Sequence, residues 1–201
     1  MIVLLIGFVH FVYGQDTFVN KQYGFAMQEP KDWILTNKAA LKDNLTKFEI
    51  NDAALAKLLK DNNGTILLAA YYKYDPSIKS GLIPTIQIQV RSKSPSTYKE
   101  FEQQILRSAE QFKKVFDKYE TIGEPREVEI SGLRTLLIVG KFNIKMNDGQ
   151  ILKVRSRTYT IPLKTYFFQL NFTDGYEEED CSSEFDGLVK TIKVGLDAIK
   201  N

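Results

Sequence analysis

Histidine and cysteine are almost missing from this chain, which holds one of each in 201 residues. The histidine, His10, stands inside an apolar leader, so a product cut after that leader has no imidazole. Without imidazole there is no Ser-His-Asp or Cys-His nucleophile pair, no histidine-held zinc or iron, and no imidazole acid or base. The lone thiol, Cys181, excludes both an internal disulfide and a cysteine-only zinc site within one chain. The leader itself lacks lysine and arginine, and beyond it no apolar run is long enough to span a bilayer. A strong charge of one sign is also lacking. The formal net charge of +2 is too near neutral to draw nucleic acid or an anionic membrane as the main partner.

What is present begins with Met1 to Gly14, apolar and closed by a small residue before Gln15 and Asp16. This reads as a secretory signal peptide, leaving residues 15–201 as one domain, secreted or periplasmic, with no stable membrane insertion once the leader is gone. Cys181 lies too far from the leader to carry a lipoprotein's acyl chain. The sequons at Asn44, Asn63 and Asn171 are read as chance triplets.

Strand and helix periods alternate along the rest. Phe18 to Trp33 predicts two short strands and a turn, and Ala54, Leu55, Leu58 and Leu59 share a face of a helix capped by Asp52. Ile66 to Tyr74 is apolar on both faces and predicts a central strand, while Thr85 to Arg91 alternates as a half-buried one. Pro95 to Phe116, with Ser94 as cap, predicts a helix whose stripe is Tyr98, Phe101, Ile105, Ala109, Phe112 and Phe116. Four strands then form an antiparallel meander, from Glu127 to Ile130, Leu133 to Met146, Gln150 to Ile161 and Thr165 to Phe172. A three-residue turn at Asn147, Asp148 and Gly149 would set Ile144 against Leu152 and Phe142 against Val154. A helix from Ser183 to about Val194 closes an α+β chain.

Four segments, YGFAMQEPKDW, SGLRTLLIVGKF, TYFFQLNFTD and EFDGLVKTIKV, resemble the photosystem II PsbP-like superfamily, which includes the bacterial DcrB-like proteins. The resemblance runs from about Phe18 to Val194. It implies a central antiparallel sheet flanked by helices, an α/β/α sandwich used as an extracytoplasmic or assembly scaffold, and it carries over no catalytic residue.

The turn register places Lys141, Lys145, Lys153, Arg155 and Arg157 on one sheet face. With Tyr72, Tyr74 and the loop Asp75 to Pro84, they form the expected binding site for a protein partner or small ligand. The competing reading is a charge ladder, with Glu127 and Glu129 cross-pairing to those cations. The acidic run Glu177 to Asp180 is the best candidate for a calcium site, but it lacks the alternation of an EF-hand loop and suits the start of the last helix. Neither a metal nor a cofactor is expected. Cys181 is expected to pack rather than react. The expectation is an exported module without catalysis. The alternative is a carboxylate-dependent hydrolase using Glu177 to Asp180 with Asp75, Glu127 or Glu129, since two carboxylates ~5–10 Å apart suffice for glycoside chemistry.

Overall fold

The computed structural model describes residues 16–37, 65–93 and 97–195. The leader with His10, the Asp52-capped helix, the Ser94 cap and the segment beyond Gly195 lie outside them. No helix among the described residues is long and apolar enough to cross a membrane.

Two sheets carry the fold. The hairpin β1 (Thr17–Asn20) and β2 (Phe25–Gln28) turns through Gly24, at φ 65°. With β11 (Lys193–Val194) it makes a three-stranded sheet in the order β1-β2-β11. The large sheet runs β3 (Ile34–Thr36), β4 (Thr65–Tyr72), β5 (Thr85–Ser92), β10 (Tyr166–Gly175), β9 (Ile151–Pro162), β8 (Leu133–Lys145) and β6 (Asp117–Thr121). The eighth strand, β7 (Arg126–Ile130), pairs with the first part of β8. From β7 to β10 the strands form the expected meander. The Asn147 to Gly149 turn is the three-residue kind, with Gly149 at φ 89° and Met146 N–H bonded to the Gln150 carbonyl at 2.8 Å. Ile144 accordingly faces Leu152, and Phe142 faces Val154.

Residue parity divides the sheet into two faces. On one, Ile86, Ile88, Phe168, Leu170, Phe172, Tyr159 and Ile161 are buried against Phe25 and Met27 of β2 and against α2 (Ser182–Val189). Phe172 meets Phe185 of α2 edge to face at 5.1 Å, and Phe25 meets Phe168 at 5.1 Å. Each such ring removes an area from water worth roughly 2–3 kcal/mol. Over the other face lies α1 (Tyr98–Glu110), extended by a 3₁₀ turn (Gln111–Lys114). Phe101 packs on Phe167 at 5.3 Å, and beyond the 3₁₀ turn Phe116 stacks on Phe142 at 4.3 Å. Arg134 lies 3.8 Å over the Tyr98 ring while its guanidinium bonds Glu127, tying the helix to the β7–β8 hairpin.

Several sequence expectations change here. Thr97, not Ser94, caps α1, because Glu100 at the third helical position completes a capping box with it. Of the predicted stripe in α1 itself only Phe101 is fully buried. β4 is not central, since among the described residues the three-residue β3 alone lies outside it. α2 stops at Val189, where Thr191 Oγ1 donates to the Leu188 carbonyl at 2.7 Å, and Lys193 and Val194 leave it to pair with β2. β6 is an addition to the sequence expectation, since DKYET has too little apolar alternation to read as a strand.

Candidate functional site at the hairpin end of the sheet

The five predicted cations do share one face. Lys141 pairs with Arg155 across β8 and β9, and the alternation carries Lys145, Lys153 and Arg157 to the same side. The partners that neutralise them come from the acidic run. Glu127 and Glu129 stand opposite Leu136 and Arg134, on the other face of the sheet, and cannot reach. Across β9 and β10, Arg155 faces Asp174 instead.

Asp174 is fully buried and is the hub of this region. Arg155 Nε and Nη2 donate to its two carboxylate oxygens at 3.0 and 2.7 Å, and Arg157 Nη1 donates at 2.9 Å. The Cys181 N–H donates at 2.8 Å, so one carboxylate ties β9 and β10 to the start of α2. Arg155 Nη2 also donates to Asp180 Oδ1 at 2.7 Å, and Arg157 Nη2 to Ser182 Oγ at 2.5 Å. Hydrogen bonds from the Ser182 hydroxyl and N–H hold the Asp180 carboxyl well below the usual carboxylate range, with Arg155 adding to the effect. Two carboxylates and two guanidiniums balance. The burial that makes the charges of Asp174, Arg155 and Arg157 costly is answered within the cluster, with exposed Asp180 completing it.

Closer to the surface, Lys153 Nζ donates to both oxygens of Glu177, at 2.6 and 2.5 Å, which holds the ammonium above its ordinary range. Lys141 pairs with Glu120 of β6 at 3.3 Å, and Lys145 is exposed at the end of β8. The Tyr74 hydroxyl donates to Glu179 at 2.9 Å, and Lys79 pairs with the same carboxylate at 3.1 Å. Tyr72 points to the opposite face from Tyr71 and is buried. Buried Arg157 and Tyr72 thus contribute packing and pairing, while Lys141, Lys145, Lys153, Arg155 and Tyr74 reach the surface in varying degree.

These pairs gather three segments at one end of the sheet, namely the loop from Asp75 to Pro84, the β8–β9 hairpin tip and the turn from Gly175 to Asp180. Leu82 from the loop packs with Phe142, Leu152 and Val154 beneath them. On this platform stand two exposed isoleucines, Ile78 in the loop at 85% and Ile151 beside the tip at 57%. Neither is marked by the sequence pattern. Ile78 shares its loop with Leu82 and Ile83, which are covered, and only the fold decides that Ile78 is the one left exposed.

Cys181 is buried at the start of α2, with Lys73 Nζ at 3.3 Å from its sulfur. Burial pushes the thiol up, against the opposing pull of Lys73. Native protein should therefore react with a thiol reagent slower than the unfolded chain by about an order of magnitude or more. Equal rates in a stopped-flow assay would contradict this placement. Among the described residues, no three His, Cys, Asp or Glu side chains group as a metal site.

The architecture defines a class, the PsbP-like α+β fold. No family model matches the sequence, and no curated protein matches it either. The similar solved structures include the following three. Cyanobacterial PsbP (CyanoP) from Synechocystis sp. PCC 6803 has a TM-score of 0.52 at 9% identity, covering 90% of this chain and 92% of that one. LpqN, involved in cell envelope biogenesis of Mycobacterium tuberculosis, has a TM-score of 0.51 at 15% identity, covering 85% of this chain and 82% of its own. A Bacteroides thetaiotaomicron protein has a TM-score of 0.50 at 13% identity over 89% of this chain, which spans only 48% of that protein.

Proposed function

We propose that this protein is an exported, non-catalytic binding or assembly module that docks a protein partner at the hairpin end of its sheet. Its leader would direct it out of the cytoplasm, and its layers are those of a three-layer α/β/α sandwich. The observation that carries the reading is the pair of exposed isoleucines, Ile78 and Ile151, on a platform held by ion pairs. Single exposed apolar residues are common on protein surfaces. Here Ile78 rises from a loop and Ile151 from the first position of β9, beside segments braced by Glu179 and Glu177, which suits a preorganised docking tip. The likeness to PsbP and to an envelope-biogenesis protein agrees with a scaffold role outside the cytoplasm.

Recognition by bulk positive charge is a weaker reading, since Lys153, Arg155 and Arg157 spend their charge on Glu177, Asp174 and Asp180. The hydrolase reading finds little support, because Glu127 and Glu129 are on the face opposite Asp174 and bridging Arg155 ties up Asp174 and Asp180 together.

A photo-crosslinking side chain at position 78 or 151 tests the docking site in cells that export the protein. Both positions should yield the same discrete adduct, and Ile151→Asp should reduce capture at position 78 by about tenfold, as loss of ~1.4 kcal/mol would. Adduct formed instead at Lys113, on the 3₁₀ turn over the other face, with none from 78 or 151, would sink the proposal.

A further inference from the structure

The second face of the sheet holds a patch unlike the rest of the molecule. Across β5, β10 and β9 the register sets Gln89 beside Gln169 beside Thr160. The next row is Gln87, Asn171 and Thr158, and the next Thr85, Thr173 and Ser156. Nine adjacent positions thus carry neutral hydrogen-bonding side chains. Charged residues make up 26% of the chain, and the other polar sheet surfaces, such as β6 and β7, are built from them. A face kept only for water has no reason to avoid charge here. Nor is it a core face. Only Thr160 of the nine is buried, and the other eight are half-buried.

The side chains are ordered by one another. Arg91 Nη1 donates to Gln169 Oε1 at 3.1 Å, Gln169 Nε2 to Asn171 Oδ1 at 3.4 Å, and Thr158 Oγ1 to the same Asn171 oxygen at 3.1 Å. Gln89 Nε2 donates to Gln87 Oε1 at 3.0 Å. A primary amide offers two donors and two acceptor lone pairs, and a hydroxyl offers both roles, so these lateral bonds align the groups without exhausting them. At the borders stand Phe101 of α1 on Phe167, and buried Tyr72 of β4 opposite Thr85.

We infer that this grid is a binding site for a neutral oligosaccharide. Sugar hydroxyls are at once donors and acceptors, and a planar array of amides and hydroxyls matches several of them without a net charge on either side. An apolar ligand would strand the amides without partners at a cost of ~1–3 kcal/mol each. An anion would find its cations, Arg91 and Lys93, at the Phe101 border and none among the nine grid positions. A peptide adding as a strand needs an open sheet edge, and β5, β10 and β9 each have a neighbour on both sides. The site is separate from the hairpin end, so each can fail without the other.

The test is a titration of the full-length exported protein with maltotriose, cellotriose and chitotriose, read by the side-chain amide resonances of Gln87, Gln89, Gln169 and Asn171. At least one sugar should shift all four, saturably, with a millimolar or tighter dissociation constant. The near-isosteric Gln169→Leu should weaken that binding by about tenfold or more while circular dichroism and the resonances of β1 and β2 stay unchanged. No shift with any of the three sugars would overturn the inference. So would equal shifts from a neutral tetraserine peptide, or shifts confined to the hairpin end.

Discussion

Asp174→Ala is expected to destabilise the protein by about 3–5 kcal/mol, lowering its melting temperature by about 6–20 °C. The carboxylate is fully buried, and its removal leaves Arg155 and Arg157 with side chains only 15% and 9% exposed and no full counter-charge. The Cys181 N–H at the start of α2 loses its acceptor in the same step. Asp174→Asn keeps the volume but not the charge, so it should lose most of the same stability. Replacing the three together, Arg155→Met, Arg157→Met and Asp174→Leu, should cost less than Asp174→Ala alone, because no buried charge then remains unpaired. Calorimetric melts of the three proteins decide the matter. A change below about 1 kcal/mol for Asp174→Ala would mean that the cluster is solvated and contributes no more than a surface pair.

Gly175→Ala is expected to open the turn that carries Glu177 and Glu179. An added Cβ would lie 1.7 Å from the Glu178 carbonyl oxygen and 3.0 Å from Leu82 Cδ2. The first of these is backbone and cannot rotate aside. Relief requires the turn to move, and with it the partners of Lys153, Tyr74 and Lys79. The loss should be about 1–3 kcal/mol, with faster amide exchange in residues 75–84 and 175–180 but not in β2 or the centre of β10. Gly187 in α2 is the control, since nothing lies within 4 Å of a Cβ there. Gly187→Ala should be neutral or stabilise by up to about 1 kcal/mol. Wild-type stability in Gly175→Ala would refute the crowding. Docking at Ile78 should weaken in that variant if the turn is what braces the loop.

Much of the fold was legible from local pattern. The β7 to β10 meander, the Asn147 to Gly149 turn and the pairing of Phe142 with Val154 follow from alternation and from one glycine at φ 89°. A strand's period and a short turn are set by neighbouring residues, so they leave a mark in the sequence. Shared sidedness of the five cations followed for the same reason. What they bond was not legible, because Arg155 meets Asp174 through a separate register between β9 and β10. The early end of α2 was likewise hidden, since Ile192 continues the apolar helical spacing of Phe185, Leu188 and Val189, although Lys193 and Val194 pair with β2 as a strand.

Composition alone determined that residues 15–201 hold no imidazole and a single thiol, because that depends on which groups exist and not on where they lie. Periodicity determined which residues share a face. Only the tertiary structure decided that the acidic run and the basic face neutralise each other, that Ile78 and Ile151 stand exposed at one end, and that Gln87, Gln89, Gln169 and Asn171 adjoin. Such juxtapositions come from strand order and register between distant segments. They are fixed by the packing of the whole sheet, for which no single segment carries the information.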